Sequence, residues 1–262
     1  MHLNVTDAGD GMPIVLLHGL TATHRYVVMG SRTLERSGHR VIAYDARGHG
    51  ASAPAPDGVY DYPALAADLL DLMDERGIDR AVLAGASMGA HTALRAAMQA
   101  PERVGGLVVI TPAYDPVDSA TPESLARWDA LADGLERGGV DGFVAAYDTS
   151  TVPDAWRQTI TTVLRQRLGA HEHPEAVAAA IRAVPRSQPF ATLHDLARVE
   201  APTVVVADRD EADPGHPLSV GEAYAELIPG AELVVEEPGK SPIAWQGGQL
   251  SKVIAGVAAR AS

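Results

Sequence analysis

The sequence predicts an α/β fold, a mostly parallel central sheet flanked by helices, and three observations carry that expectation. Short runs rich in Val, Ile and Leu recur along the chain, several of them almost wholly apolar. Continuous apolar runs of that length mark strands covered on both faces, whereas strands with one wet face alternate. The segments between them place apolar residues at helical spacing. With 262 residues, 46% of them hydrophobic, the chain is long enough for one large domain or one domain with an insertion.

Taken in order, the expected strands are "PIVLLHG", "RVIAYD", "RAVLAGAS", "GLVVIT", "PTVVVAD" and "AELVVEE". Between the second and third, "YPALAADLLDLMDERG" has a helical apolar stripe. "MGAHTALRAAMQA" and "GQLSKVIAGVAARA" are Ala-rich helices, and "PLSVGEAYAELIPG" stops at Pro229-Gly230. These helices suit the crossovers of a parallel sheet. From Ala113 to about Phe190 the alternation ceases and the chain turns helical and polar, with breaks at "DPVDSATPES", "ERGGVDG", "HEHPEA" and "VPRSQPF". So long a stretch is not a structureless loop in a compact domain. It predicts a helical lid over 113–190, inserted into a core made of 1–112 and 191–262.

Composition excludes several classes. A formal net charge of -13 with no Lys/Arg cluster leaves no footprint for a phosphate backbone, so no nucleic-acid partner is expected. The opening "MHLNVTDAGDG" has neither a basic nor an apolar leader segment, and no apolar run approaches a membrane span. A cytoplasmic protein with no membrane partner is the expectation. Without cysteine there is no thiolate nucleophile, and no histidine spacing suggests a metal; no cofactor is expected. A homo-oligomer is compatible with everything above.

The stretch "VLAGASMGAHTAL" sets Gly85-Ala86-Ser87-Met88-Gly89 between an apolar strand and an Ala-rich helix. A serine in that turn is forced into a strained conformation, and small neighbours let its hydroxyl project from the end of the sheet. "IVLLHGLTATH" and "AYDARGHGAS" follow the same order and spacing as the His-Gly loop and the D-x-R-G-x-G-x-S loop of the α/β-hydrolase fold superfamily. The chain resembles that superfamily over nearly its whole length outside the lid. The resemblance implies that Ser87 is the nucleophile and that the backbone N–H groups of Leu20 and Met88 form an oxyanion hole. It implies backbone-orienting roles for His18 and His49. His91, one helical turn past Ser87, is expected as a packing residue; His24, just past the oxyanion loop, is expected at the surface, with a position reaching the pocket as the alternative.

The resemblance fails at one place. The family's acid follows the strand "PTVVVAD", and an ungapped count puts it at Glu211, with Asp210 and Asp213 close enough to compete. The family's histidine sits in a Gly-His-Ser-Pro loop after the last strand, and here that text reads Gly239-Lys240-Ser241-Pro242. Neutral lysine costs about 4.6 kcal/mol at pH 7 from a pKa near 10.4, and a carboxylate partner raises the cost. Three readings stay open. Another histidine serves as base, His216 in "DEADPGHPLSV" being the candidate, while Lys240 pairs with the acid. Alternatively Lys240 is desolvated and is itself the base, or a cation for an oxyanion or substrate carboxylate. In the third, hydrolysis has been lost and the pocket is retained for binding or for a reaction that needs only the oxyanion hole and a charge. The expected function is hydrolysis of a small apolar ester, lactone or related carbonyl compound by Ser87, Glu211 or Asp210, and His216 or Lys240. Epoxide or haloalkane chemistry is disfavoured because it usually needs Asp at the elbow.

Overall fold

A computed structural model describes residues 1–150, 152–211 and 213–261 of the chain. Among these residues seven strands form one sheet: β1 (Val5–Ala8), β2 (Pro13–Leu17), β3 (Arg40–Tyr44), β4 (Ala81–Ala86), β5 (Val104–Ile110), β6 (Thr203–Ala207) and β7 (Glu232–Val235). Their order across the sheet is β1-β3-β2-β4-β5-β6-β7. Only the β1–β3 pair is antiparallel; Val5 lies opposite Tyr44 and Ala8 opposite Val41. The six expected strands are all present. The seventh, β1, is a four-residue edge strand with alternating half-buried and exposed residues, too short and too polar to carry an apolar signal.

Among the described residues eight α-helices accompany the sheet: α1 (Thr33–Arg36), α2 (Tyr62–Glu75), α3 (Met88–Gln99), α4 (Pro122–Ala146), α5 (Asp154–Leu168), α6 (Pro174–Ala183), α7 (Leu218–Leu227) and α8 (Gly247–Arg260). Successive strand side chains point to opposite faces, and the core divides accordingly. Val15, Leu17, Leu83, Leu107 and Val205 pack with α2, α3 and α7. Ile14, Leu16, Val82, Val108 and Val206 pack with α1 and α8 on the other face. This two-sided burial is why the strands read as unbroken apolar runs.

The helices α4, α5 and α6 lie between β5 and β6. Gly139, at φ 59° and ψ -147°, breaks α4 into two arms. Phe143, Leu164, Val177 and Ile181 of this insertion form a third apolar cluster with Leu20, Tyr62 and Met88 of the core. The insertion is also pinned by polar contacts: the Gly50 N–H donates to His171 Nδ1 at 2.8 Å, and His171 Nε2 lies 3.2 Å from the Thr21 carbonyl. Among the described residues no helix is long and apolar enough to cross a membrane.

Candidate active site

β4 ends at Ala86 and α3 begins at Met88, leaving Ser87 alone at the corner with φ 50° and ψ -112°. A non-glycine residue with positive φ is held there only by surrounding structure. Here the hold is steric. A Cβ on Gly85 would lie 2.2 Å from the Gly89 carbonyl oxygen, and one on Gly89 would lie 2.2 Å from that of Leu17. The strand and helix therefore cross at backbone contact distance, and the Ser87 N–H is secured to the Ile110 carbonyl at 2.9 Å.

His216 Nε2 lies 3.0 Å from Ser87 Oγ. On the far side of the ring, Nδ1 lies 2.9 Å from Asp213 Oδ2. The carboxylate approaches out of line with the ring N–H, so the contact is an ion pair and not a formed hydrogen bond. Both groups come from one turn, Asp213-Pro214-Gly215-His216, closed by the His216 N–H on the Asp213 carbonyl at 3.0 Å. About a quarter of the His216 side chain is exposed, to the cavity described below.

Electrostatics separate the two groups. Burial opposes charge on His216, but the adjacent Asp213 carboxylate outweighs it and raises the imidazole pKa above its ordinary value of 6.5, with Asp208 adding in the same direction. Burial opposes charge on Asp213 too, and there the field of His216 wins and lowers the carboxyl pKa. Behind them, Asp208 at the end of β6 is fully buried. Burial, then the charges of Asp213 and Glu236, push its carboxyl up to about 7, against a weaker opposing pull from the charge on His216.

The other expected site residues fall elsewhere. Glu211 is exposed, and among the described residues no hydrogen bond or ion pair joins it to His216 or Lys240. Asp210 is exposed and accepts the Leu218 N–H at 2.7 Å, at the start of α7. Asp213 thus stands where Glu211 or Asp210 was expected, because the loop after β6 runs two residues beyond the ungapped count before it turns back. Lys240 is exposed on a turn closed by its own N–H on the Glu237 carbonyl at 3.0 Å. Its side chain has no ion pair among the described residues, so neither a Lys240–acid pair nor a desolvated lysine is present.

Leu20 and Met88 line the same cavity as Ser87, and among the described residues neither backbone N–H has a protein acceptor. The loop bearing Leu20 is set by two histidines. His18 accepts the Ala46 N–H on Nε2 at 2.8 Å and turns Nδ1 to the Gly19 carbonyl at 2.8 Å. His49 Nε2 lies 2.6 Å from the Leu20 carbonyl. His24 departs from its expected surface role: its N–H and Nδ1 both lie 2.8 Å from Oδ1 of buried Asp45. His91 is buried, with Nδ1 3.1 Å from the Tyr62 hydroxyl and Nε2 accepting the N–H groups of Ala113 and Tyr114 at 3.3 Å. Burial, reinforced by the charge on His216, lowers its pKa to about 3; it is a neutral strut under the elbow.

The cavity over Ser87 measures about 1570 Å³ and lies between the sheet's carboxyl edge and the insertion. Trp156 of α5 and Trp245 before α8 both line it and meet edge to face at 5.5 Å between ring centroids. No group of side chains among the described residues is disposed to hold a metal ion.

The fold is shared with known proteins. Residues 12–146 match the sequence profile of the alpha/beta hydrolase fold. A 2-hydroxy-6-oxononadienedioate/2-hydroxy-6-oxononatrienedioate hydrolase of Pseudomonas putida is 31% identical over 249 residues, covering 90% of this chain and 83% of its own. A thermophilic esterase from Thermogutta terrifontis superposes with a TM-score of 0.81 at 27% identity, over 97% of this chain and 92% of its own. A hydrolase from Pseudomonas aeruginosa superposes at 0.70 with 29% identity, over 89% and 85% of the two chains.

Proposed function

The chain belongs to the α/β-hydrolase fold family, and from that premise we propose that it is a serine hydrolase of small esters, lactones or related carbonyl compounds, with Ser87 as nucleophile, His216 as base and Asp213 as acid. The observation that carries the reading is His216 standing between the two groups, its Nε2 in hydrogen-bond contact with Ser87 Oγ and its Nδ1 ion-paired with Asp213 Oδ2. The esterase and hydrolase names of its relatives support the reaction class.

Each step follows from the contacts. Neutral His216 takes the Ser87 hydroxyl proton on Nε2 while Oγ bonds to the substrate carbonyl carbon. The carbonyl electron pair moves onto oxygen, which the N–H groups of Leu20 and Met88 receive as hydrogen-bond donors. The imidazolium, steadied by Asp213, returns the proton to the leaving oxygen as the tetrahedral intermediate collapses to an acyl-serine. Water then repeats the sequence, giving up a proton to His216 and releasing the acid and Ser87. Lys240 has no part in these transfers. The helices of the insertion act as a lid, shielding the intermediate from water.

Hydrolysis of p-nitrophenyl butyrate, with labelling by a fluorophosphonate probe, tests the assignment. Ser87→Ala should abolish both signals, and His216→Ala should lower kcat by about a hundredfold to ten-thousandfold. Lys240→Met should stay within about twofold of wild type, as a surface substitution does. A protein that neither turns over the ester nor reacts with the probe would instead support the ligand-binding reading.

A further inference from the structure

Arg167 projects from α5 into the cavity that holds Ser87 and His216. It differs from most arginines of the chain, which are spent on carboxylates: Arg40 on Asp7, Arg47 on Asp68, Arg182 on Asp133 and Glu136. Among the described residues Arg167 has no ion pair, and its Nε is buried without an acceptor. Its guanidinium lies 5.3 Å from the centroid of the Tyr26 ring. The cation thus rests over an aromatic ring, which supplies no anionic acceptor, and its Nε stays unpaired. Asp213 is near enough for its charge to be felt at Arg167, but it lies beyond ion-pair distance and is engaged by His216.

A guanidinium stays protonated even when desolvated, and a desolvated cation without a counter-ion is costly. An anion from outside the chain relieves that cost. We propose that Arg167 is a specificity-determining residue that receives a carboxylate on the substrate, so that the preferred substrates are esters or lactones carrying a second, ionised carboxyl group. This deepens the serine-hydrolase reading and rests on it for the identity of the reacting end. A monoanion is favoured over a phosphate, since a single negative charge neutralises Arg167. A dianion would leave excess charge beside Asp213 and the developing oxyanion. The inference also refines the expectation of a wholly apolar substrate. The aromatic and aliphatic wall, including Trp156, Ile160 and Leu164, would hold the linker between carboxylate and carbonyl.

The test compares mono-p-nitrophenyl glutarate with neutral p-nitrophenyl butyrate in wild type, Arg167→Met and Arg167→Gln. Wild type should prefer the hemiester. Both variants should lower the ratio of kcat/KM, anionic over neutral, by about tenfold to a hundredfold, the range for a hydrogen bond to a charged group, mostly through KM. A ratio unchanged in folded variants overturns the inference while leaving the hydrolase reading intact. A separate binding arm needs no turnover. In Ser87→Ala, glutarate should raise the melting temperature, and the added Arg167→Gln change should remove that rise. Glutarate binding without hydrolysis of either ester by wild type would keep the anion site and overturn the hydrolase reading; no glutarate-dependent shift in Ser87→Ala overturns the site.

Discussion

Ser87 and His216 meet at 3.0 Å, and the protonation of that imidazole sets the pH range in which the contact is productive. Because Asp213 holds the His216 pKa above 6.5, the free base is populated only as pH rises through that higher value. The kcat/KM profile should therefore rise with its midpoint above the ordinary imidazole value of 6.5 and then level. In Asp213→Asn the midpoint should move to lower pH while the plateau drops, since the raising field is gone and the imidazolium loses its counter-charge. Asp208 gives a second signature, read in stability and not in rate. Its folded-state pKa of about 7 exceeds the unfolded value near 3.8, so the native protein binds more protons than the unfolded chain between those values. Stability from this group consequently falls as pH rises through that window. Asp208→Asn should raise the melting temperature at pH 8 by several degrees and leave it nearly unchanged at pH 4, measured by calorimetry.

Turns and caps decide what the flanking elements contribute. Asp210, by accepting the Leu218 N–H, supplies the first turn of α7 with a side-chain acceptor that Pro217 cannot provide. Asp210→Ala should lower stability by about 1 kcal/mol, read from urea midpoints, without moving the pH profile; a displaced profile would instead place Asp210 in the proton relay. The elbow is less forgiving. Gly89→Ala should cost about 3 kcal/mol or more, because its Cβ meets strand backbone and not a side chain that can swing aside. This element was legible from sequence, since two glycines around a serine between a strand and a helix leave few alternatives. The loop after β6 was not. Its length is set by where Pro214 and Gly215 let the chain reverse, and an ungapped count assumes the reversal instead of finding it. Strand β1 was hidden for a different reason, being an edge strand stabilised by pairing with β3 and by few buried side chains of its own.

At the scale of the whole molecule, the two-sided core fixes the sheet and leaves its carboxyl edge to the insertion. Apolar patterning announced the core because every central strand is buried on both faces. It announced the insertion only as a change of texture, and the residues facing the cavity could not be chosen from it. Trp156 and Trp245 bring the insertion and core together beside the site. Trp156→Ala should raise KM for p-nitrophenyl butyrate about threefold to tenfold, with a smaller change in kcat, as a contact that holds substrate without joining the chemistry is lost. An effect confined to kcat would count against closure at that edge.

The turn Asp213-Pro214-Gly215-His216 has an engineering consequence. Two groups that a hydrolase of this fold ordinarily draws from separate loops are carried here on four consecutive residues, so the pair behaves as a cassette. A graft of the segment after β6 would carry the proposed acid and base in a single splice, with their mutual spacing set by a backbone hydrogen bond. On the proposed assignment the exposed loop at Gly239-Lys240 is released from the chemistry, so lengthening or recoding it should leave ester turnover nearly unchanged.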